Sequence, residues 1–224
     1  MKKMDVDIVL PCYNPAPGWE RIVVSTYKEL QALWSHLTFH VYVVNDGSTS
    51  GFEEETVGYL EENIPDIQML AYVENRGKGY ALRKGVAACR SEYILYTDHD
   101  FPYTLESMSH VISLLLQGVD VVTSTRGDGY YVCLPFLRRC ISRFFRWCNR
   151  YVFRMSYPDT QAGLKGFNQR GRVLFLSTRI HGFLFDWEFI RRVSKETVLQ
   201  VRDVDVELRK NVCFSGAGIV FHAV

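Results

Sequence analysis

Four short, largely apolar runs, at 6–10, 40–44, 68–72 and 92–97, are separated by stretches with helical spacing of apolar residues. This alternation constrains the fold more than any other feature of the chain. Helices are expected at about 19–37, 53–63 and 80–89, so that strand, loop and helix repeat in turn. Strands joined by helices pair in parallel through crossovers, which predicts an α/β fold with a doubly wound, mostly parallel sheet flanked by helices. At 224 residues and 47% hydrophobic content, the chain can bury one large core without a second domain. A single domain over 1–224 is the expectation.

The strand ends are polar. Tyr13 and Asn14 follow the first strand, Asn45 and Asp46 the second, and Asp98-His99-Asp100 the fourth. In an open parallel sheet such ends line one edge, where ligands bind. Residues i and i+2 of a strand point the same way, so Asp98 and Asp100 converge just past its end. Two carboxylates with little room for other ligands suit a hard divalent cation that keeps water and a ligand's phosphates. Gly77-Lys78-Gly79 adds a cation and backbone N–H groups ahead of a helix, a natural phosphate position. Each feature taken alone is also ordinary turn chemistry. A dinucleotide fold would need G-x-G-x-x-G after the first strand, where the chain has Pro11-Cys12-Tyr13-Asn14-Pro15.

The formal charge of +1 excludes nothing globally, but its distribution is uneven. Between Gly129 and Pro158 there is no acid, while Arg138, Arg139, Arg143, Arg146, Arg150 and Arg154 all fall there. A basic amphipathic helix is expected at about 134–155, with Leu137, Ile141, Phe144, Cys148, Tyr151 and Met155 on one face and arginines opposite. Two readings stand: an apolar stripe packed on the sheet, or a helix lying on an anionic membrane surface. No nucleic-acid-binding module is recognisable, so nucleic acid is not an expected partner. Six scattered cysteines without a C-x-x-C pair read as reduced thiols of a cytosolic protein. The N-terminus is too short and polar for a signal peptide, and no run reaches the about 18 apolar residues of a membrane span.

Together, Leu10-Pro11-Cys12-Tyr13-Asn14, Val44-Asn45-Asp46-Gly47-Ser48, Asn75-Arg76-Gly77-Lys78-Gly79-Tyr80-Ala81 and Asp98-His99-Asp100 resemble the family-2 inverting glycosyltransferases with the GT-A fold. Further on, Asp159-Thr160-Gln161-Ala162-Gly163-Leu164-Lys165-Gly166-Phe167 and Gly182-Phe183-Leu184-Phe185-Asp186-Trp187-Glu188 resemble the dolichyl- and polyprenyl-phosphate mannose or glucose synthases. The likeness runs from about Asp5 to Glu188. Two positions depart from the pattern: Pro15 stands where an acid usually follows the first block, and Asn45 replaces the first acid of Asp-Asp-Gly-Ser.

The resemblance implies a nucleotide-sugar donor half at 1–100 and an acceptor half at 101–224. It implies Pro11, Tyr13, Asn14, Asp46, Lys78 and Asp98 around a UDP- or GDP-sugar, and Mg²⁺ or Mn²⁺ on Asp98 and Asp100. Asp159, Asp186 and Glu188 are the candidate catalytic acids, and Arg126 and Arg139 the acceptor-phosphate ligands. A sugar hydroxyl needs a positioned base, whereas a lipid phosphate, with a second pKa of about 6, is largely ionised near neutrality. Asp159 after Pro158 also suits a cap or turn, and Asp186 and Glu188 also suit ion pairs with Arg191 or Arg192. The implied activity is transfer of a hexose to a polyprenyl phosphate by a peripheral protein at the cytosolic face of the membrane, with or without a membrane-protein partner. The alternatives are transfer to a hydroxyl of a growing surface glycan, or a non-catalytic nucleotide-sugar-binding subunit.

Overall fold

The computed structural model describes residues 4–127, 136–157 and 159–209, with the backbone alone for 136–141. Its strands are β1 (Met4–Cys12), β2 (Leu37–Asp46), β3 (Gln68–Tyr72), β4 (Tyr93–Tyr96), β5 (Val121–Arg126), β6 (Lys165–Phe167) and β7 (Val201–Val206). They form one sheet in the order β3-β2-β1-β4-β6-β5-β7. All neighbours pair in parallel except β6, which runs antiparallel to both β4 and β5. The helices are α1 (Trp19–Leu33), α2 (Glu54–Asn63), α3 (Lys78–Ala88), α4 (Leu105–Leu116), α5 (Phe136–Trp147), α6 (Gln169–Leu176) and α7 (Phe185–Val193), with a π-turn at Cys148–Val152.

Alternation along the strands fills two cores, as a sheet covered on both faces requires. Val6, Ile8, Leu10 and Cys12 join Val41, Val43 and Leu95 under α1, α2 and α4. Val9, Tyr42, Val44, Ile94 and Tyr96 meet α3, α6 and α7 on the other face. Asp7, wholly buried on β1, accepts hydrogen bonds from the backbone of Arg90 (2.7 Å) and Ser91 (2.9 Å), which ties the α3–β4 turn to the sheet.

Two expected boundaries move. The first helix stops at Leu33 rather than 37, because Leu37 is already paired with Met4 and Trp34–His36 make the turn. The basic helix ends in the π-turn, and its expected apolar face divides: Met155 is buried in the core and Cys148 half-buried, while other positions of that face meet solvent. Ser142 and Asn149 are buried, whereas Phe144 is 63% and Tyr151 62% exposed. Asn149 is held inside by its partners: its Oδ1 accepts from Trp187 Nε1 (3.0 Å), and its amide lies 3.4 Å from Thr160 Oγ1.

Candidate active site

The carboxyl ends of β1, β2 and β4 bring the expected donor residues to one edge. Pro11 is buried inside β1, paired with Val44 of β2. Tyr13, just beyond, is half exposed. Asn14 takes a left-handed backbone (φ 44°) and spans two loops: its N–H donates to Ser48 Oγ (2.9 Å), and its Oδ1 accepts from Thr49 N (2.8 Å).

Asp46 is buried, and its carboxylate accepts from Tyr72 OH (2.7 Å), Arg76 N (2.8 Å), Gly77 N (2.9 Å) and Asn75 Nδ2 (3.2 Å). Its charge fixes the loop before α3. At the start of that helix, Gly79 N (2.6 Å) and Tyr80 N (3.3 Å) donate to His181 O. Gly77 adopts φ 91°, and a Cβ there would lie 2.8 Å from the same carbonyl. The N–H groups of Arg76, Gly77, Gly79 and Tyr80, read from sequence as a phosphate cradle, are thus spent on Asp46 and His181.

Lys78 Nζ donates to Asp98 Oδ1, at the end of β4. Burial works against the ammonium, but Asp98 and Asp186 outweigh it and raise its pKa. Asp100 is exposed, yet the protein crowded around it and then the Asp98 charge push its carboxyl up. Behind this pair, a Cβ on Gly163 would come within 2.7 Å of Asp98 Oδ2, so glycine leaves that oxygen its space. Two adjacent oxygen ligands of like charge, one with clearance kept by a glycine, fit a hard divalent cation that takes its other ligands from water and phosphate. No cluster of three or more metal-ligating side chains occurs among the described residues.

On the far side of β4, Arg126 ends β5 and meets Asp159. Their side chains are 8% and 1% exposed. Arg126 donates to Asp159 through N (2.9 Å), Nε (3.0 Å) and the terminal guanidinium (2.8 Å). Burial opposes the Asp159 charge, but Arg126 prevails and holds the carboxyl below its usual value. Arg146 of α5 reaches the Arg126 carbonyl (3.5 Å). The side chain of Arg139 lies outside the described residues.

Asp186 is buried at the start of α7 and accepts from Tyr96 OH (2.6 Å) and Lys165 Nζ (2.9 Å). Lys165 is wholly buried and also donates to the carbonyls of Thr160 and Ala162. This lysine, missed in the sequence, holds the 159–164 loop from below. Its one signal is a cation inside the run Gly163-Leu164-Lys165-Gly166-Phe167. Glu188 turns elsewhere. It accepts from Arg179 N (2.7 Å), Ile180 N (2.8 Å) and Arg192 (2.7 Å), the ion pair that helical spacing allows. Burial raises its carboxyl, but these donors outweigh burial and lower it.

The 143–154 segment presents Phe144, Trp147, Tyr151, Val152 and Phe153 to solvent. Phe144 stacks on Trp147 (6.2 Å between centroids), and Trp147 leans on Tyr151 (5.8 Å). Arg143, Arg150 and Arg154 are exposed around them. No helix among the described residues is long and apolar enough to cross a membrane.

Residues 7–171 match the model of the glycosyl transferase family 2. A dolichyl-phosphate beta-glucosyltransferase of Drosophila melanogaster is 24% identical over 204 residues, covering 84% of this chain and 62% of that protein. The enzyme of the same description from Mus musculus is 31% identical over 200 residues, covering 83% and 61%. The chain thus spans less than two thirds of the length of these relatives. Mannosyl-3-phosphoglycerate synthase from Rubrobacter xylanophilus superposes with a TM-score of 0.67 at 20% identity, over 90% of this chain and 65% of that one. Glucosyl-3-phosphoglycerate synthase from Mycobacterium tuberculosis, in complex with Mn²⁺, UDP and glucosyl-3-phosphoglycerate, gives 0.56 at 16% identity, over 93% and 73%.

Proposed function

The chain belongs to glycosyl transferase family 2 and has the GT-A fold, and from that premise we propose that it moves a hexose from a nucleoside-diphosphate sugar to a polyprenyl phosphate with inversion. In this reading Pro11, Tyr13 and Asn14 frame the nucleoside, and Asp46 fixes the loop that presents Lys78 to the diphosphate. Asp98 and Asp100 hold Mg²⁺ or Mn²⁺, as the UDP–Mn²⁺ complex of the structural relative and the GDP-mannose–Mn²⁺ complex of a Pyrobaculum calidifontis mannosyltransferase support. When bound, the cation supplies charge that offsets the growing negative charge of the leaving diphosphate.

Attack must come from the sugar face opposite the diphosphate. A hydroxyl nucleophile would need a base, but Asp159 and Glu188 have both carboxylate oxygens hydrogen-bonded, and Asp186 is buried against Lys165. A phosphate acceptor is already an anion and needs a cation to seat it. We assign Asp159 to orienting Arg126 for that phosphate, Asp186 to fixing Lys165 under the 159–164 loop, and Glu188 to anchoring residues 179–180.

The observation that carries the lipid acceptor is the segment 142–153, where Arg146 joins the Arg126 region while Phe144, Trp147, Tyr151 and Phe153 meet solvent among arginines. That surface suits an anionic membrane, and the dolichyl-phosphate beta-glucosyltransferases among the relatives support the same acceptor class. The donor half is tested by calorimetry with UDP and GDP in the presence of Mn²⁺. One nucleotide binds, and Asp98→Asn weakens it at least about tenfold, the effect of losing one strong charge-assisted contact. If neither nucleotide binds the folded protein, the donor site fails.

A further inference from the structure

Lys78 sits on the carboxylate that a divalent cation would use. Its ammonium bonds Asp98 Oδ1, while Asp98 Oδ2 takes the room that a Cβ on Gly163 would need. Its side chain is 19% exposed and that of Asp98 36%, so the pair is reachable from solvent without opening the core. The backbone at Lys78 is pinned on both sides, by Asp46 through Gly77 N (2.9 Å) and by His181 through Gly79 N (2.6 Å). Only the four-carbon stem can move the charge, and that stem is flexible.

Charge then decides how the site fills. Asp98 and Asp100 with Lys78 sum to one negative charge, so a dication entering beside the ammonium would meet a repelling neighbour. A diphosphate brings the negative charge that lets both cations stay, with the ammonium displaced from Asp98 onto phosphate oxygen. We propose that Lys78 is an internal counter-cation: it holds Asp98 while no donor is bound and yields it to the divalent cation when a nucleoside diphosphate arrives. Metal and nucleotide therefore bind with positive coupling that depends on Lys78, and by linkage each tightens the other by the same factor. The proposal rests on the reading of this edge as the donor site.

The experiment titrates Mn²⁺ into the protein and follows the electron paramagnetic resonance of free Mn²⁺, with and without the nucleotide that calorimetry selects. Wild type, Lys78→Gln and Lys78→Arg are compared after thermal unfolding confirms that the variants fold. Without nucleotide, Lys78→Gln should bind Mn²⁺ up to about fivefold more tightly than wild type, the upper end for a partly exposed ion pair. Lys78→Arg should resemble wild type, and nucleotide should tighten Mn²⁺ binding less in Lys78→Gln than in wild type. Equal or weaker Mn²⁺ binding by Lys78→Gln overturns the proposal, as does a wild type in which nucleotide leaves Mn²⁺ affinity unchanged. Absence of Mn²⁺ binding by any form, even with nucleotide, would refute the donor-site reading itself.

Discussion

Replacing Asp159 by Asn tests whether the acceptor side is built on one buried ion pair. The substitution keeps the shape of the side chain but removes the charge facing Arg126 and turns one of the two oxygens that accept at 2.8, 2.9 and 3.0 Å into an NH2 donor. Because both side chains are nearly inaccessible, water cannot take over these contacts. Breaking a buried pair by removing one partner costs about 3–5 kcal/mol. For a domain of this size each kcal/mol lowers Tm by about 2–4 °C, so a fall of roughly 6–20 °C is expected. Thermal unfolding by circular dichroism measures it. A double mutant with Arg126→Met should lose much less than the sum of the single effects. The acid limb gives a second reading. Asp159 has a lowered folded pKa, so its contribution is complete above the ordinary carboxylate value and is lost as pH falls through the folded value. Asp159→Asn should remove that part of the acid destabilisation. A Tm within about 2 °C of wild type would refute the argument, since it would fall below the smallest effect the buried pair allows.

Gly163→Ala should force Asp98 to shift, because the new Cβ would meet its Oδ2 at 2.7 Å. Metal-stimulated transfer should drop on the order of a hundredfold, the scale of an ångström's misplacement, with secondary structure unchanged. Lys165→Met leaves Asp186 buried without its cation and should cost about 3–5 kcal/mol in urea unfolding. Adding Asp186→Leu should restore part of that loss, and no restoration would mean that the pair is not the source of the cost. Arg143→Glu with Arg150→Glu should weaken flotation with anionic liposomes at least about tenfold, given roughly 1 kcal/mol per basic residue at such a surface. Unchanged flotation would remove the membrane role of that face.

The gathering of these polar residues at one sheet edge was legible in the sequence because it depends on strand ends. Alternation placed Asp98 and Asp100 past β4, and turn chemistry placed Asn14 and Asp46 beside them. What each carboxylate does was not legible, since that depends on which long-range donor reaches it. Asp46 is held by Tyr72, Arg76 and Gly77, and Glu188 by a loop eight and nine residues earlier in the chain. The facing of the basic helix was legible only in part, for a related reason: Met155 is buried as its period suggests, but Phe144 and Tyr151 are not. Periodicity finds an amphipathic helix but not which face turns inward, and here Asn149 finds Thr160 and Trp187 inside, leaving the aromatics outward. Lys165 went unseen because a cation in an apolar run carries no period, and its partner Asp186 lies 21 residues away.

The most direct test of the account supplies purified protein with Mg²⁺ or Mn²⁺, short-chain polyprenyl phosphate and one labelled donor at a time: UDP-glucose, UDP-galactose or GDP-mannose. Label extracted into organic solvent reports transfer to the lipid. The account predicts metal-dependent label in the organic phase with one donor, lost in Asp98→Asn. Donor turnover with all label left in the aqueous phase would contradict the lipid-phosphate acceptor and move the reaction to a hydroxyl.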